Sequence, residues 1–331
     1  MDYDFTWRDG ERTIRFARGA ILEAPRLIGE GFTLVTTARA REQHPNLELG
    51  AEQVVEVGPG FVDEIAGDIL ANGTLSTRIV ALGGGRVIDT AKALGAAASQ
   101  PTLVAAIPTT LSAAEMTWVH RQARGAPAGS GTMRPQLVIT DPTVSASQPM
   151  PDLAASAANA LAHAIEGAVT GVASPVPTMA AIRAAVLLAE GLPEEGQPLL
   201  DPLALGALLS GYAIDANWYG IHHVMSQTLV RNAGVSHGDA NAASCGRIAS
   251  STPIAFSDSA CARRAKQRAS SSTGTPAAAS IAAISLARRS RSAALVTGSI
   301  AAFASPWLTP ALRTSVWLIT WWIPYQLASI A

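Results

Sequence analysis

Cysteine is nearly absent: Cys245 and Cys261 are the only two in 331 residues. Two thiols exclude a disulfide framework, their spacing does not fit a zinc site, and a reducing compartment suits them. An excess of charge of one sign is also missing. The formal net charge of -1 gives none of the basic excess that nucleic-acid binders gather on one face, so no nucleic-acid partner is expected. The opening MDYDFTWRDGER has no apolar core of the kind a secretory signal or membrane anchor needs, which makes a cytoplasmic address the expectation. No internal repeat of fixed period is present, and there is no G-x-G-x-x-G dinucleotide fingerprint. What remains is 48% hydrophobic and 15% charged residues, a composition that buries a core and describes an enzyme-sized globular chain.

Up to about residue 150, short β-type runs alternate with helical stretches, the signature of a parallel α/β layer. FTLVTTA (32–38), STRIVALGG (76–84), TLVAAIPTT (102–110) and PQLVITDP (135–142) read as strands, and VDEIAGDILANG and VIDTAKALGAAAS as helices. From Pro151 the pattern becomes helical throughout: DLAASAANALAHAIEGAVTG, VPTMAAIRAAVLLAEGLP and DPLALGALLSGYAIDANWYGIHHVMSQTLV, with proline and glycine at the breaks. The expected organisation is an α/β domain over 1–150, a helical domain over 151–243, and an atypical tail over 244–331.

Two constellations carry chemistry. Gly83 to Gly85 end a strand and start a helix, where outward-pointing amides and the helix dipole favour an anion and the missing Cβ allows close approach. Those glycines fit a diphosphate cradle, and equally a plain strand-to-helix turn. Thr109 and Thr110 follow the next strand at its carboxyl end, where open α/β sheets bind ligands. In the helical part, Asn159 and His163 stand four apart and share one helix face, while His223 and His237 follow on a later helix and its loop. Imidazoles from separate elements suit a metal or an oxyanion, or are unrelated histidines.

Taken in order, GGGRVIDTAKAL, IPTTLSAAEMT, VITDP, NALAHAIE and HH followed by SHGDANA resemble the iron-containing (group III) alcohol dehydrogenase superfamily, whose fold is dehydroquinate synthase-like. The resemblance runs over roughly residues 10 to 243. It implies a Rossmann-like parallel sheet followed by an all-α domain. It also implies NADH or NADPH held around Thr37, Gly84, Gly85, Asp89, Thr109 and Thr110. Metal-dependent members bind iron or zinc through an aspartate and three histidines. Here the aspartate position is Asn159, an amide without charge, so the expectation is no tightly held metal, with His163, His223 and His237 as the ligands if one is held. The maleylacetate reductase branch is similar at this point, with an asparagine-bearing NA-x-AH-x-E helix, EMT after the threonines and an HH pair. It implies reduction of maleylacetate, a dicarboxylate enone, to 3-oxoadipate in aromatic degradation by a cytoplasmic homodimer. In this reading Asn159, His163, His223 and His237 are catalytic. The family serine near the glycine turn is Arg86, and a further branch histidine is Gln227. Thr37 stands where NAD-specific relatives place an aspartate, with Arg39 nearby, so NADPH is allowed. The competing readings are a metal-dependent alcohol dehydrogenase and a non-catalytic relic that only binds nucleotide.

The last third departs from the rest. Met1 to Asp239 carries 24 acidic and 15 basic residues, whereas Ala240 to Ala331 has one acid, Asp258, against nine bases, and glutamate does not occur after Glu195. Such a segment resembles translation in a shifted frame, and a disordered or weakly packed tail is expected. Residues 292–312 and 314–331 approach membrane-span length, but Pro306, Pro310 and Pro324 interrupt them and no membrane hairpin is expected.

Overall fold

A computed structural model describes residues 3–73, 75–193, 196–233 and 240. The expectations for His237 and for residues 244–331 lie outside the described residues. A hairpin of β1 (Phe5–Asp9) and β2 (Arg12–Phe16) leads into α1 (Ala24–Ile28), β3 (Phe32–Thr36), α2 (Ala38–Gln43), β4 (Ala51–Glu56) and α3 (Val62–Asn72). Then follow β5 (Arg78–Gly83), α4 (Gly85–Ala97), β6 (Leu103–Pro108), β7 (Leu137–Thr140) and the single turn α5 (Pro142–Ser145). Four helices complete the described chain: α6 (Met150–Val169), α7 (Pro175–Gly191), α8 (Leu200–Asn217) and α9 (Ile221–Ala233).

The strands form one seven-stranded sheet in the order β1-β2-β7-β6-β5-β3-β4, parallel except for the β1–β2 pair. The four strands expected from sequence are β3, β5, β6 and β7. Their central residues are apolar on both sides because helices or turns cover both faces of a parallel sheet. One core packs α3 and α4 on one face through Ile88, Leu94, Val104 and Ile79; another packs the α1 and α2 side through Phe32, Leu34, Val80 and Ile107. The strands the sequence reading missed are the two edges, β1 and β4, whose apolar residues are only partly covered, and β2, which lies between β1 and β7 and buries Ile14 and Phe16 but carries Arg12 and Arg15 among them. The available signal for β1–β2 was Asp9-Gly10, with Gly10 at φ 60 in a two-residue connection.

After β3 the chain moves outward to β4, and after β5 it moves the opposite way to β6, so the direction of winding reverses between β3 and β5. The crevice at the carboxyl ends of those strands is where such sheets take ligands. Thr36 pins it, its buried hydroxyl donating to the Leu82 carbonyl at 2.9 Å.

The helices dock on the β2–β7 side of the sheet, where Ile14, Phe16, Met116 and Val138 meet Leu187, Leu205 and Leu208. Among themselves they share Leu153, Ala157, Ala160, Leu188 and Leu203, joined by Leu111 from the segment after β6, each buried leucine contributing roughly 1.5–3 kcal/mol. The helical run read over 201–230 is two helices. Asn217, fully buried, donates to the Gly167 carbonyl at 2.7 Å and accepts from the Ser174 N–H at 2.9 Å. Trp218 then turns to φ 66, in the left-handed region, and α8 cannot continue. Among the described residues no helix is long and apolar enough to cross a membrane.

Candidate active site

The glycine turn sits at the winding reversal. Gly84 is the N-terminal boundary residue of α4, and the helix receives no side-chain cap and no acidic residue in its first turn, so its leading amides are left for an anion. The glycines are also required by close packing: a Cβ on Gly84 would lie 2.9 Å from Thr110 Cγ2, and one on Gly83 2.6 Å from Val87 Cγ2. Thr110 Oγ1 is buried beside this turn with no hydrogen-bond partner, while Thr109 is held by its own N–H, which donates to the Gly83 carbonyl at 3.0 Å. An orphaned hydroxyl against uncapped amides is a polar cradle that fits the diphosphate of a dinucleotide.

Thr37 stands at the carboxyl end of β3, where its side chain accepts from the Ala40 N–H at 3.2 Å and caps α2. The hydroxyl hydrogen remains for a ribose, but the side chain has a local task that the sequence reading did not assign. Asp89 likewise has a partner. Its Oδ1 accepts from Lys92 Nζ at 2.7 Å, and that fully buried ammonium also donates to the carbonyls of Ala114 at 3.1 Å and Val119 at 2.9 Å. Lys92 thereby ties α4 to the segment after the paired threonines, and Asp89 serves as its counter-ion.

That segment meets α6. The Leu111 N–H donates to Ser156 Oγ at 2.9 Å, and Asn159 Nδ2 points to the Ser112 carbonyl at 3.5 Å, a long contact. Asn159, His163 and Glu166 follow one another at four and three residues along α6, all buried on one face. His223, on α9, brings its ring to 5.6 Å from that of His163, centre to centre, and the Tyr219 ring lies 4.3 Å from it. Asn159, His163 and His223 thus gather on one face of α6. His237 lies outside the described residues.

Three residues of this region carried no assigned role in the sequence. Glu166 accepts from the His223 N–H at 3.1 Å, and burial pushes its carboxyl up to about 7. Its signal was present in the NALAHAIE spacing, which puts it one turn beyond His163. Glu115, buried with Oε2 unpartnered, is likewise pushed up to about 7 by burial. Tyr219 is held above the ordinary phenol range by burial, opposed by a hydrogen bond with Thr117, and nothing in its sequence context marked it.

Among the described residues no group of three histidine, cysteine or carboxylate side chains that could hold an ion occurs; His237 lies outside them, and position 159 offers an uncharged amide in place of a carboxylate ligand.

Comparison with known proteins agrees with this architecture. Residues 153–280 match the Fe-containing alcohol dehydrogenase family, C-terminal, a match that runs past the last sequence motif at residue 243. Maleylacetate reductase 1 of Rhodococcus opacus is 32% identical over 167 residues, 48% of this chain and 46% of that protein. The chain spans about half the length of curated relatives it matches, including this one. Among solved structures, the iron-containing alcohol dehydrogenase of Corynebacterium glutamicum superposes with a TM-score of 0.62 at 19% identity, covering 97% of this chain and 84% of that one. Sulfoacetaldehyde reductase of Bifidobacterium kashiwanohense, solved in complex with NAD+, gives 0.60 at 20% identity, covering 98% and 99%. At those identities the likeness is one of fold.

Proposed function

We propose that the chain, which matches the Fe-containing alcohol dehydrogenase family over residues 153–280 and maleylacetate reductases over about half of its length, belongs to that superfamily and reduces maleylacetate to 3-oxoadipate with NADH or NADPH. The reading assigns the cofactor to residues 1–150 and the substrate chemistry to residues 151–243. The observation that carries it is the junction of α6 with the threonine segment. Ser156 and Asn159 join the two, and His163 and His223 meet one turn further along α6, which supports assigning them to the substrate beside a cradled dinucleotide.

When bound, the reduced nicotinamide supplies a hydride. Gly84 and Gly85 hold the diphosphate by backbone amides at the start of α4, and Thr110 gives its orphaned hydroxyl to the same ligand. Adding hydride to the alkene carbon β to the ketone leaves negative charge on the ketone oxygen. His163, His223 and the amide of Asn159 are the donors aimed at that charge, with His237 as the fourth by motif. The proton that completes the reduction goes to the carbon α to the ketone. Burial of His163 and Asn159 keeps water from competing for the oxyanion and strengthens each hydrogen bond to it. No step requires a metal, and the donor set at Asn159 does not favour one.

The test is oxidation of NADH and NADPH by the full chain with maleylacetate, in parent and His223→Ala. The variant should lose about 100-fold or more in kcat/KM, the size of removing one preorganised donor, with cofactor affinity unchanged. Cofactor binding by the parent without turnover would establish the nucleotide-binding relic instead. Turnover that needs added iron or zinc would establish the metal-dependent alcohol dehydrogenase.

A further inference from the structure

The α8–α9 junction is clamped from α6 at two points, one on each side of the left-handed residue Trp218. On the α8 side, Asn217 donates to the Gly167 carbonyl at 2.7 Å, and its own carbonyl accepts from Thr170 Oγ1 at 2.5 Å. On the α9 side, Glu166 reaches the first turn of the helix, its Oε1 accepting from the His223 N–H at 3.1 Å while the N–H groups of His222 and Gly220 also face the carboxyl group. Gly220 leaves the room this needs, since a Cβ there would come within 2.8 Å of Glu166 Oε1. The first amides of a helix have no partner within it, and a buried start without a cap frays.

We propose that Glu166 is a positioning residue: by capping α9 from α6 it holds the His223 imidazole against His163. The two histidines belong to helices that no covalent geometry aligns, and their rings lie only 5.6 Å apart. A carboxyl group one turn beyond His163 on the same helix makes the two positions depend on each other. Where Glu166 goes, the first turn of α9 follows, and His223 with it. A side-chain contact to the imidazole would leave the ring free to turn with the backbone. A backbone contact sets the residue itself, and the Tyr219 ring, 4.3 Å away centre to centre, packs against the imidazole. Ser226 adds a local brace, its hydroxyl donating to the His223 carbonyl at 3.0 Å.

The inference rests on the reading of His163 and His223 as donors to the reacting oxygen, and its test separates the two. Glu166→Ala, Glu166→Gln and Gly220→Ala are compared with the parent and with His223→Ala in the full chain. Three quantities are measured: amide hydrogen exchange at residues 220–223, the imidazole NMR signal that disappears in His223→Ala, and kcat and KM with maleylacetate and NADH. Glu166→Ala should speed exchange about tenfold, shift the His223 signal and lower kcat roughly 10- to 100-fold with KM for NADH unchanged. Glu166→Gln, which keeps an oxygen acceptor, should recover most of all three. Gly220→Ala pushes the carboxylate away by a contact at the end of a flexible side chain, so it should reproduce the effect even if Glu166→Ala fails to fold. Exchange and a His223 signal like the parent's in Glu166→Ala, or in Gly220→Ala should the former not fold, would overturn the inference. So would faster exchange with undiminished kcat while His223→Ala is inactive, because the cap would then serve the helix and not the histidine. If instead His223→Ala turns over like the parent, the functional reading falls, and the exchange and NMR results alone decide the cap.

Discussion

The glycine turn and the histidine face are built on opposite plans. At the turn, most contributing atoms come from adjacent residues: β5 ends, Gly84 opens α4, and the short segment after β6 brings Thr109 and Thr110 against it. At the histidine face the parts come from α6 and α9, and the hydrogen bond that joins them spans 57 residues. The first uses backbone amides, which any sequence possesses once the turn is free of Cβ atoms. The second uses side chains, whose value depends on helix packing remote from them. A ligand site made of backbone tolerates change everywhere except at its glycines, whereas one made of side chains is exposed to any shift in the helices that carry it.

The sharpest break of that comparison is at Gly84. Gly84→Val places a branched side chain where even a single Cβ meets Thr110 at 2.9 Å, and should abolish measurable NADH binding in a fluorescence titration, a loss of about 100-fold or more. Because that change also crowds the turn, Thr110→Val is its companion. It removes an unpartnered buried hydroxyl without adding bulk, so it should weaken NADH roughly tenfold while leaving the unfolding free energy unchanged or about 1 kcal/mol higher. Equal cofactor affinity in both variants and the parent would remove the turn from the binding site.

On the other side, Asn159→Asp restores a charge to the face that carries His163. Affinity for zinc, titrated after chelator treatment, should rise about 10- to 100-fold. Tightly held metal in the parent after chelation would instead show that the amide suffices and would erase the expected distinction from metal-dependent relatives.

The smallest effect concerns the buried Glu115 close to the Lys92 tie. Its carboxyl lies at about 7 in the folded chain against the ordinary 4.5, because burial disfavours the charged form. Between those two values the folded state keeps a proton that the unfolded chain has released. The stability this contributes is therefore present in full below about 4.5 and is lost as the pH rises through about 7. Glu115→Gln should remove that dependence, and urea titrations from pH 4 to 8 should show its advantage over the parent growing with pH, by on the order of 2 kcal/mol. A difference independent of pH would mean that Glu115 ionises normally in the folded chain.

Legibility in the sequence followed the same division. The central strands were readable because burial on both faces demands uninterrupted apolar runs, as in RIVALG and LVAAIP. The edge strands β1 and β4 were not, since an edge strand half open to water mixes charge with apolar residues and gives up that signal, and β2 was not because RTIRF sets two arginines among its buried apolar residues. The boundary between α8 and α9 was hidden for another reason. Nothing in ANWYG breaks a helix as proline would, and the turn at Trp218 depends on Asn217 spending its hydrogen bonds on α6 and α7.

By itself, the sequence determined the strand–turn–helix around Gly84 and the shared face of Asn159, His163 and Glu166. Both follow from backbone periodicity and local sterics, which act between residues a few positions apart. Only the tertiary structure decided that the His223 ring lies beside His163 and that Glu166 caps α9. Those contacts join α6 to α9, helices distant along the chain, and a side chain's partner across a packed interior is not encoded in its own surroundings along the chain.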